Sequence, residues 1–172
     1  AHAGGEGLGP ANSLEAMNAS MAAGTDVLDA DLWMTTDGVI VAHHDRSLEG
    51  TTGVTGFVDQ MTFAELQELD LRAGWTGDPI DHPVRIPSLD QMLAEFPTTW
   101  ISLEIKQSSP PIATTLCETL ERHSASGRTY LSANEDADLY LTADACPDSA
   151  IITTTYQDVA AMRAARESAA GW

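Results

Sequence analysis

VLDADLWMTTDGVIVAHHD, residues 27–45, decides how the rest of the chain is read. An Asp-Gly pair between two β-prone runs signals a hairpin, because both central residues of a type I′ turn need positive φ. With Asp37-Gly38 as a two-residue loop, Thr36 faces Val39 and Asp31 faces His44. Directly opposed residues share a face, as do residues two apart. Asp29, Asp31 and His44 therefore gather on one side, and Leu28, Ala30 and Leu32 take the other. Burying two carboxylates and an imidazole unpaired would cost roughly several kcal/mol per charge. The polar side suits a cation and a reacting group better than a core.

Upstream, AHAGG at residues 1–5 reads as a shortened strand near His2, followed by glycines that permit a tight turn or a close backbone approach. In GLGPANSLEAMNASMAAG, Asn12 is expected to cap a helix, with Glu15 in capping-box position and Gly24 at the stop. Leu14, Met17 and Met21 form its apolar stripe. Downstream, DRSLEGTTGVTGFV predicts a loop ending in a short strand over 56–58. Thr62 and Glu65 box a short helix, and Ser88 with Gln91 boxes another that Pro97 ends. Between them, residues 70–87 carry Gly74, Gly77, Pro79, Pro83 and Pro87, an irregular connection of a length usually found in functional or disordered loops.

The strand TWISLEIKQ puts Ile101, Leu103 and Ile105 on one face and Ser102, Glu104 and Lys106 on the other. The wet face of an ordinary sheet would explain that strand equally well. A helix over 111–123, a strand over 128–132, a helix over 135–142, a strand over 151–154 and a final helical AAMRAARESAAG complete the order. Helix alternating with strand predicts a parallel sheet wrapped by helices, and polar groups near the strand ends favour a barrel.

With 172 residues and a hydrophobic share of 43%, the chain suits one domain, residues 1–172. Its 26 acidic and 8 basic residues give a formal charge of -18, which repels nucleic acid and anionic membranes, so no nucleic-acid partner is expected. No run approaches the about 18 apolar residues of a membrane span, and no leader-like apolar region precedes His2, so no transmembrane segment is expected. Cys117 and Cys146 lack metal-site spacing and leave two options, one disulfide or two buried thiols. In a right-handed βα succession both fall on the outer layer in adjacent units, where a disulfide is geometrically allowed. The few lysines and the composition lean towards a secreted or extracellular protein, with the cytoplasm as the alternative.

Several short pieces, in order, resemble the glycerophosphodiester phosphodiesterase family. AHAGG is similar to its His-Arg-Gly-Gly, GPANS to its Pro-Glu-Asn-Thr and LDAD to its Glu-x-Asp. TTDGVIVAHHDRSLEGTTG, IPSLDQ and LEIK match its Thr-x-Asp-Gly, His-Asp, Thr-Thr-Gly, Ile-Pro-Thr-Leu and Glu-Ile-Lys segments. Each piece is weak alone. Their order across residues 2–106 is specific.

The resemblance implies an α/β fold of the (β/α)8 TIM type and hydrolysis of glycerophosphodiesters, small-molecule phosphodiester substrates, to an alcohol and glycerol 3-phosphate. It implies His2 and His44 as general acid and base, Lys106 beside the phosphate charge, and a divalent cation, Ca2+ or Mg2+, held by Asp29, Asp31 and Glu104. The chemistry is coherent, since a hard cation takes oxygen ligands and imidazole titrates near neutrality. Three positions depart from the pattern: Ala3 replaces an arginine, Ala11 a glutamate, and Asp29 a glutamate. The alternative is a non-catalytic, phosphodiester-binding or structural module on the same fold. A full barrel needs about 250 residues. The strands near residues 2, 29, 103, 130 and 152 make about five barrel strands plus the hairpin's return arm. The barrel is expected to be incomplete here, truncated at both ends, and completed by a missing segment or a second chain.

Overall fold

Strand β1 (Val27–Met34) is the axis of a five-stranded sheet ordered β2-β1-β3-β4-β5. β3 (Trp100–Ile105), β4 (Thr129–Ala133) and β5 (Ala150–Ile151) follow in parallel, while β2 (Ile40–Ala42) returns antiparallel along the other edge of β1. The coordinates are a computed structural model and describe residues 1–152. The predicted C-terminal helix and the end of the strand over 151–154 lie outside those residues.

One face of the sheet is apolar because alternate residues are. Leu28, Ala30 and Leu32 of β1 and Ile101, Leu103 and Ile105 of β3 are buried against helices α1 (Leu14–Ala22), α4 (Leu89–Glu95) and α5 (Ala113–Arg122). Met17, Met92, Leu93, Leu116 and Leu120 supply the helical side of that core. A second core lies where β1 and β2 project beyond the parallel strands. Trp33 and Val41 are covered there by Leu48, Val58, Leu66, Leu71, Val84 and Ile86 from the excursion over 46–87. That excursion includes short helices α2 (Glu49–Thr52) and α3 (Phe63–Leu66), the latter with the Thr62–Glu65 capping box the sequence predicts. The Ser88–Gln91 box on α4 also forms. Helix α6 (Asp136–Ala145) leads into Cys146, which is bonded to Cys117 of α5 with the Cα atoms 5.3 Å apart. Of the two options for the cysteines, the structure takes the disulfide.

Four local expectations are corrected. The hairpin loop is not a two-residue turn. Thr35 pairs with Val39 across a three-residue loop in which Gly38 alone has positive φ, at 81°, the signature of a type I turn closed by a bulge. Thr35 favours it by donating its hydroxyl to Asp37 Oδ1 at 2.6 Å and accepting from the Val39 N–H at 2.9 Å. The register consequently slips by one residue, Leu32 opposing Ala42, and Asp31 meets His43 rather than His44.

The cap of α1 is Ser13, whose Oγ accepts from the Ala16 N–H at 3.1 Å, not Asn12. Around His2 the chain forms a 3-10 turn, His2–Gly4, and only Ala1 of this stretch bonds to the β1 backbone, through its N to Val27 O and its O to Asp29 N. The described residues therefore hold four parallel strands plus the return arm, not five. The segment over 56–58 makes a single bridge, Ser47 to Phe57, before a 3-10 turn over Val58–Gln60.

Candidate active site

In the β1–β3 pairing Asp29 lies beside Ser102 and Asp31 beside Glu104. Side chains at paired positions of parallel neighbours share a face, so these groups stand together on the face opposite the apolar core. Lys106, just beyond β3, joins two of them. Its Nζ is 3.1 Å from Asp31 Oδ1 and 2.8 Å from Glu104 Oε1. Burial works against the ammonium, but the hydrogen bonds to Glu104 and Asp31 overcome it and hold its pKa above the ordinary lysine value.

Asp31 is 2% exposed and fully engaged. Its second oxygen accepts from Asn12 Nδ2 at 2.9 Å, while its backbone N–H donates to Asn12 Oδ1 at 3.1 Å. Asn12 reaches both atoms because its backbone is left-handed, φ 59°, a conformation asparagine tolerates better than most residues. Asn12 is thus a site residue that sequence reasoning placed in a helix cap. The signal available was Ser13 beside it, an equally good cap that frees the asparagine.

Asp29 points to the 3-10 turn, its Oδ2 accepting from the Ala3 N–H at 3.4 Å. Ala3 is buried and itself left-handed, φ 45°. The turn is held against α1 by Ser20, whose hydroxyl donates to Gly4 O at 3.0 Å, and a Cβ on Gly5 would collide with that hydroxyl. His2 itself faces solvent, with Nδ1 3.1 Å from Glu6 Oε1. Among the described residues, Asp31, Glu104 and Lys106 are brought into contact, Asp29 is beside them on the same face, and no group of three or more His, Cys, Asp or Glu stands at metal-binding spacing.

His44 follows β2 and is exposed, with Nδ1 2.8 Å from Asp45 Oδ1. Among the described residues Nε2 has no hydrogen-bond partner. The preceding histidine behaves differently. His43 is 2% exposed, and burial pushes its imidazole below the ordinary histidine value. His82 and His123, which the sequence leaves structural, pair with Glu15 and Asp81, and with Asp90, away from these strands.

A parallel sheet backed by helices, with carboxylates and a lysine on the face opposite its core and histidines on the loops, fits the class of TIM-type barrel proteins, which carry a polar site at their strand ends. The chain belongs to the glycerophosphoryl diester phosphodiesterase family, whose sequence model matches residues 2–169. Lysophospholipase D GDPD3 of Mus musculus is 34% identical over 113 residues, covering 62% of this chain and 34% of its own length. Lysophospholipase D GDPD1 of Homo sapiens is 29% identical over 126 residues, covering 71% and 40%. The chain thus spans between a third and two fifths of the length of these relatives.

Among solved structures, a glycerophosphodiester phosphodiesterase from Agrobacterium tumefaciens superposes with a TM-score of 0.78 at 21% identity, over 88% of this chain and 64% of that one. An Oleispira antarctica phosphodiesterase in complex with the product sn-glycerol-3-phosphate also gives 0.78, at 22% identity over 92% and 68%. At these identities the structures establish the fold, and they identify the five-stranded sheet as part of a TIM barrel.

Proposed function

We propose that the protein hydrolyses glycerophosphodiesters to an alcohol and glycerol 3-phosphate, with a divalent cation, Ca2+ or Mg2+, at Asp29, Asp31 and Glu104. The observation that carries this reading is the Asp31–Lys106–Glu104 group, buttressed by Asn12 on the inner face of the sheet. Three carboxylates aligned on neighbouring strands are the donor chemistry a hard cation takes. When bound, such a cation neutralises phosphoryl oxygens and lowers the pKa of a coordinated water or hydroxyl.

The chain's own residues do the rest. Lys106 adds positive charge beside the phosphate and pairs with Asp31 and Glu104. His44, held through Nδ1, presents Nε2 for proton transfer, and His2 serves the opposite side of the scissile P–O bond. One imidazole takes the proton of the attacking oxygen. The other returns a proton to the departing alcohol oxygen as the bond breaks. Ala3 leaves developing phosphoryl charge without the donor an arginine would supply, and Ala11 leaves the site without a glutamate's carboxylate. The Cys117–Cys146 disulfide supports export to an oxidising compartment.

The test is release of glycerol 3-phosphate from glycerophosphocholine by the full-length protein. Activity is expected to vanish with a chelator and in His44→Ala. The Ala3→Arg, Ala11→Glu double variant is expected to gain about 10²- to 10³-fold in turnover, the usual worth of one charge-stabilising donor. Ala3 already holds a left-handed backbone, so the arginine adds no new backbone strain there. Absence of cleavage by either protein, with the fold intact and the metal bound in calorimetry, would make the chain a non-catalytic phosphodiester-binding module.

A further inference from the structure

We infer that His43 is a positioning residue, whose buried imidazole sets the orientation of His44. The inference rests on the role proposed for His44 above and assigns the neighbouring histidine a part that neither the family resemblance nor the comparisons supply.

The backbone is tied down on either side of His44 and at its own carbonyl. On the N-terminal side the His43 N–H donates to Asp31 O at 2.9 Å, anchoring the loop to the strand that carries the carboxylates. His44's own carbonyl accepts from Trp33 Nε1 at 3.1 Å. Past it, the Asp45 carbonyl lies 2.6 Å from His43 Nδ1. A carbonyl can only accept, so Nδ1 carries the proton. On the far side of the ring Nε2 lies 2.8 Å from Thr51 Oγ1. In the neutral ring that nitrogen has only its lone pair, so the threonine hydroxyl is the donor at this 2.8 Å contact, the longer 3.2 Å approach to Leu48 O being its second acceptor. The imidazole is therefore a two-ended strut between the residue after His44 and helix α2, and the chain from 43 to 51 wraps around it.

This arrangement answers why a histidine is buried beside a second, exposed one. Both histidines lie past the end of β2, and the buried one of the pair satisfies both ring nitrogens with the loop's own groups. No charged partner is among them. An apolar residue of similar size would fill the space but would leave the Asp45 carbonyl without its donor and the Thr51 hydroxyl without the ring nitrogen, loosening the Asp45–Arg46 peptide just past His44 and, with it, the Asp45 side chain that contacts the His44 ring. Misplacement of a proton-transfer group by about 1 Å can cost on the order of 10²-fold in rate, while binding of the substrate elsewhere is untouched.

The experiment uses glycerophosphocholine and four variants of the full-length protein, each checked for fold by circular dichroism. His44→Ala is the control: retained activity would overturn the role of His44 itself, and the remaining arms are then read as structural. With His44→Ala inactive, His43→Phe is expected to lower kcat about 10- to 100-fold with KM changed by less than about threefold. His43→Asn, whose amide can occupy the place of Nδ1–H and donate to Asp45 O, is expected to recover most of that loss. A folded His43→Phe protein with the parental kcat would overturn the inference, as would His43→Asn failing to exceed His43→Phe. If His43→Phe does not fold, Thr51→Val decides: a lowered kcat at constant KM supports the strut, and a parental kcat overturns it.

Discussion

Lys106 is the residue on which the polar cluster turns. Its side chain is 10% exposed and it is the ammonium shared by a carboxylate 3% exposed and another 34% exposed. A buried ion pair gains little over an apolar replacement of both partners, but removing one partner strands the other. Lys106→Met keeps the aliphatic stem and removes the charge, leaving Asp31 with Asn12 alone. The expected cost is about 3 kcal/mol, read as a lowered urea midpoint with chelator present, so that no added cation takes the ammonium's place. An unchanged midpoint would mean that Asp31 is relieved by solvent and that the cluster is looser than its distances suggest. Asn12 shows how a single backbone angle decides a residue's role: with φ at 59° its amide turns from the helix end to Asp31, and Ser13 inherits the cap.

Among the elements, the excursion over 46–87 has the least regular structure and the most side-chain anchoring. Asp70 closes its second half, the stretch over 70–84. Its carboxylate accepts from the backbone N–H groups of Arg72 and Val84, and it is forked by the Arg72 guanidinium, with Nη2 2.7 Å from Oδ2. The fork holds the Asp70 carboxyl well below the usual carboxylate range, more strongly than partial burial raises it.

The sign for stability follows. A carboxyl depressed in the folded state stabilises fully above its unfolded value of 3.8, and that stabilisation is lost as pH falls below it towards the folded value. Asp70→Asn is therefore expected to lower the urea midpoint at pH 7 and to narrow the gap between parent and variant at about pH 3. A difference between parent and variant that stays constant over that span would show that Asp70 acts by packing rather than by charge.

At the scale of the molecule, the main core holds the helical layer to the sheet, and the Cys117–Cys146 bond ties neighbouring helices of that layer to each other. The bond joins α5 to the end of α6 across a sequence separation of 29 residues. Closing a loop of that length removes about 3 to 4 kcal/mol of unfolded-chain entropy in the chain-entropy model. The Cys117→Ala, Cys146→Ala protein is expected to lose stability of that order in urea unfolding, and a loss below about 1 kcal/mol would place the stabilisation in the core alone.

By itself the sequence determined the alternation of β1 and β3, the apolar face made by Leu28, Ala30, Leu32, Ile101 and Leu103, the two capping boxes, and the shared face of Asp29, Asp31 and Glu104. All of these follow from a period of two along a strand or from contacts within three residues. The register of the hairpin, the choice between Asn12 and Ser13 as cap, the division of labour between His43 and His44, and the pairing of the cysteines were decided only in the tertiary structure. Each turns on a backbone angle or on a partner distant in sequence. Asp37-Gly38 admits two turn types, and only Thr35's hydrogen bonds select one. Asn12 and Ser13 are equally able caps until Asp31, contributed by another element, claims the first.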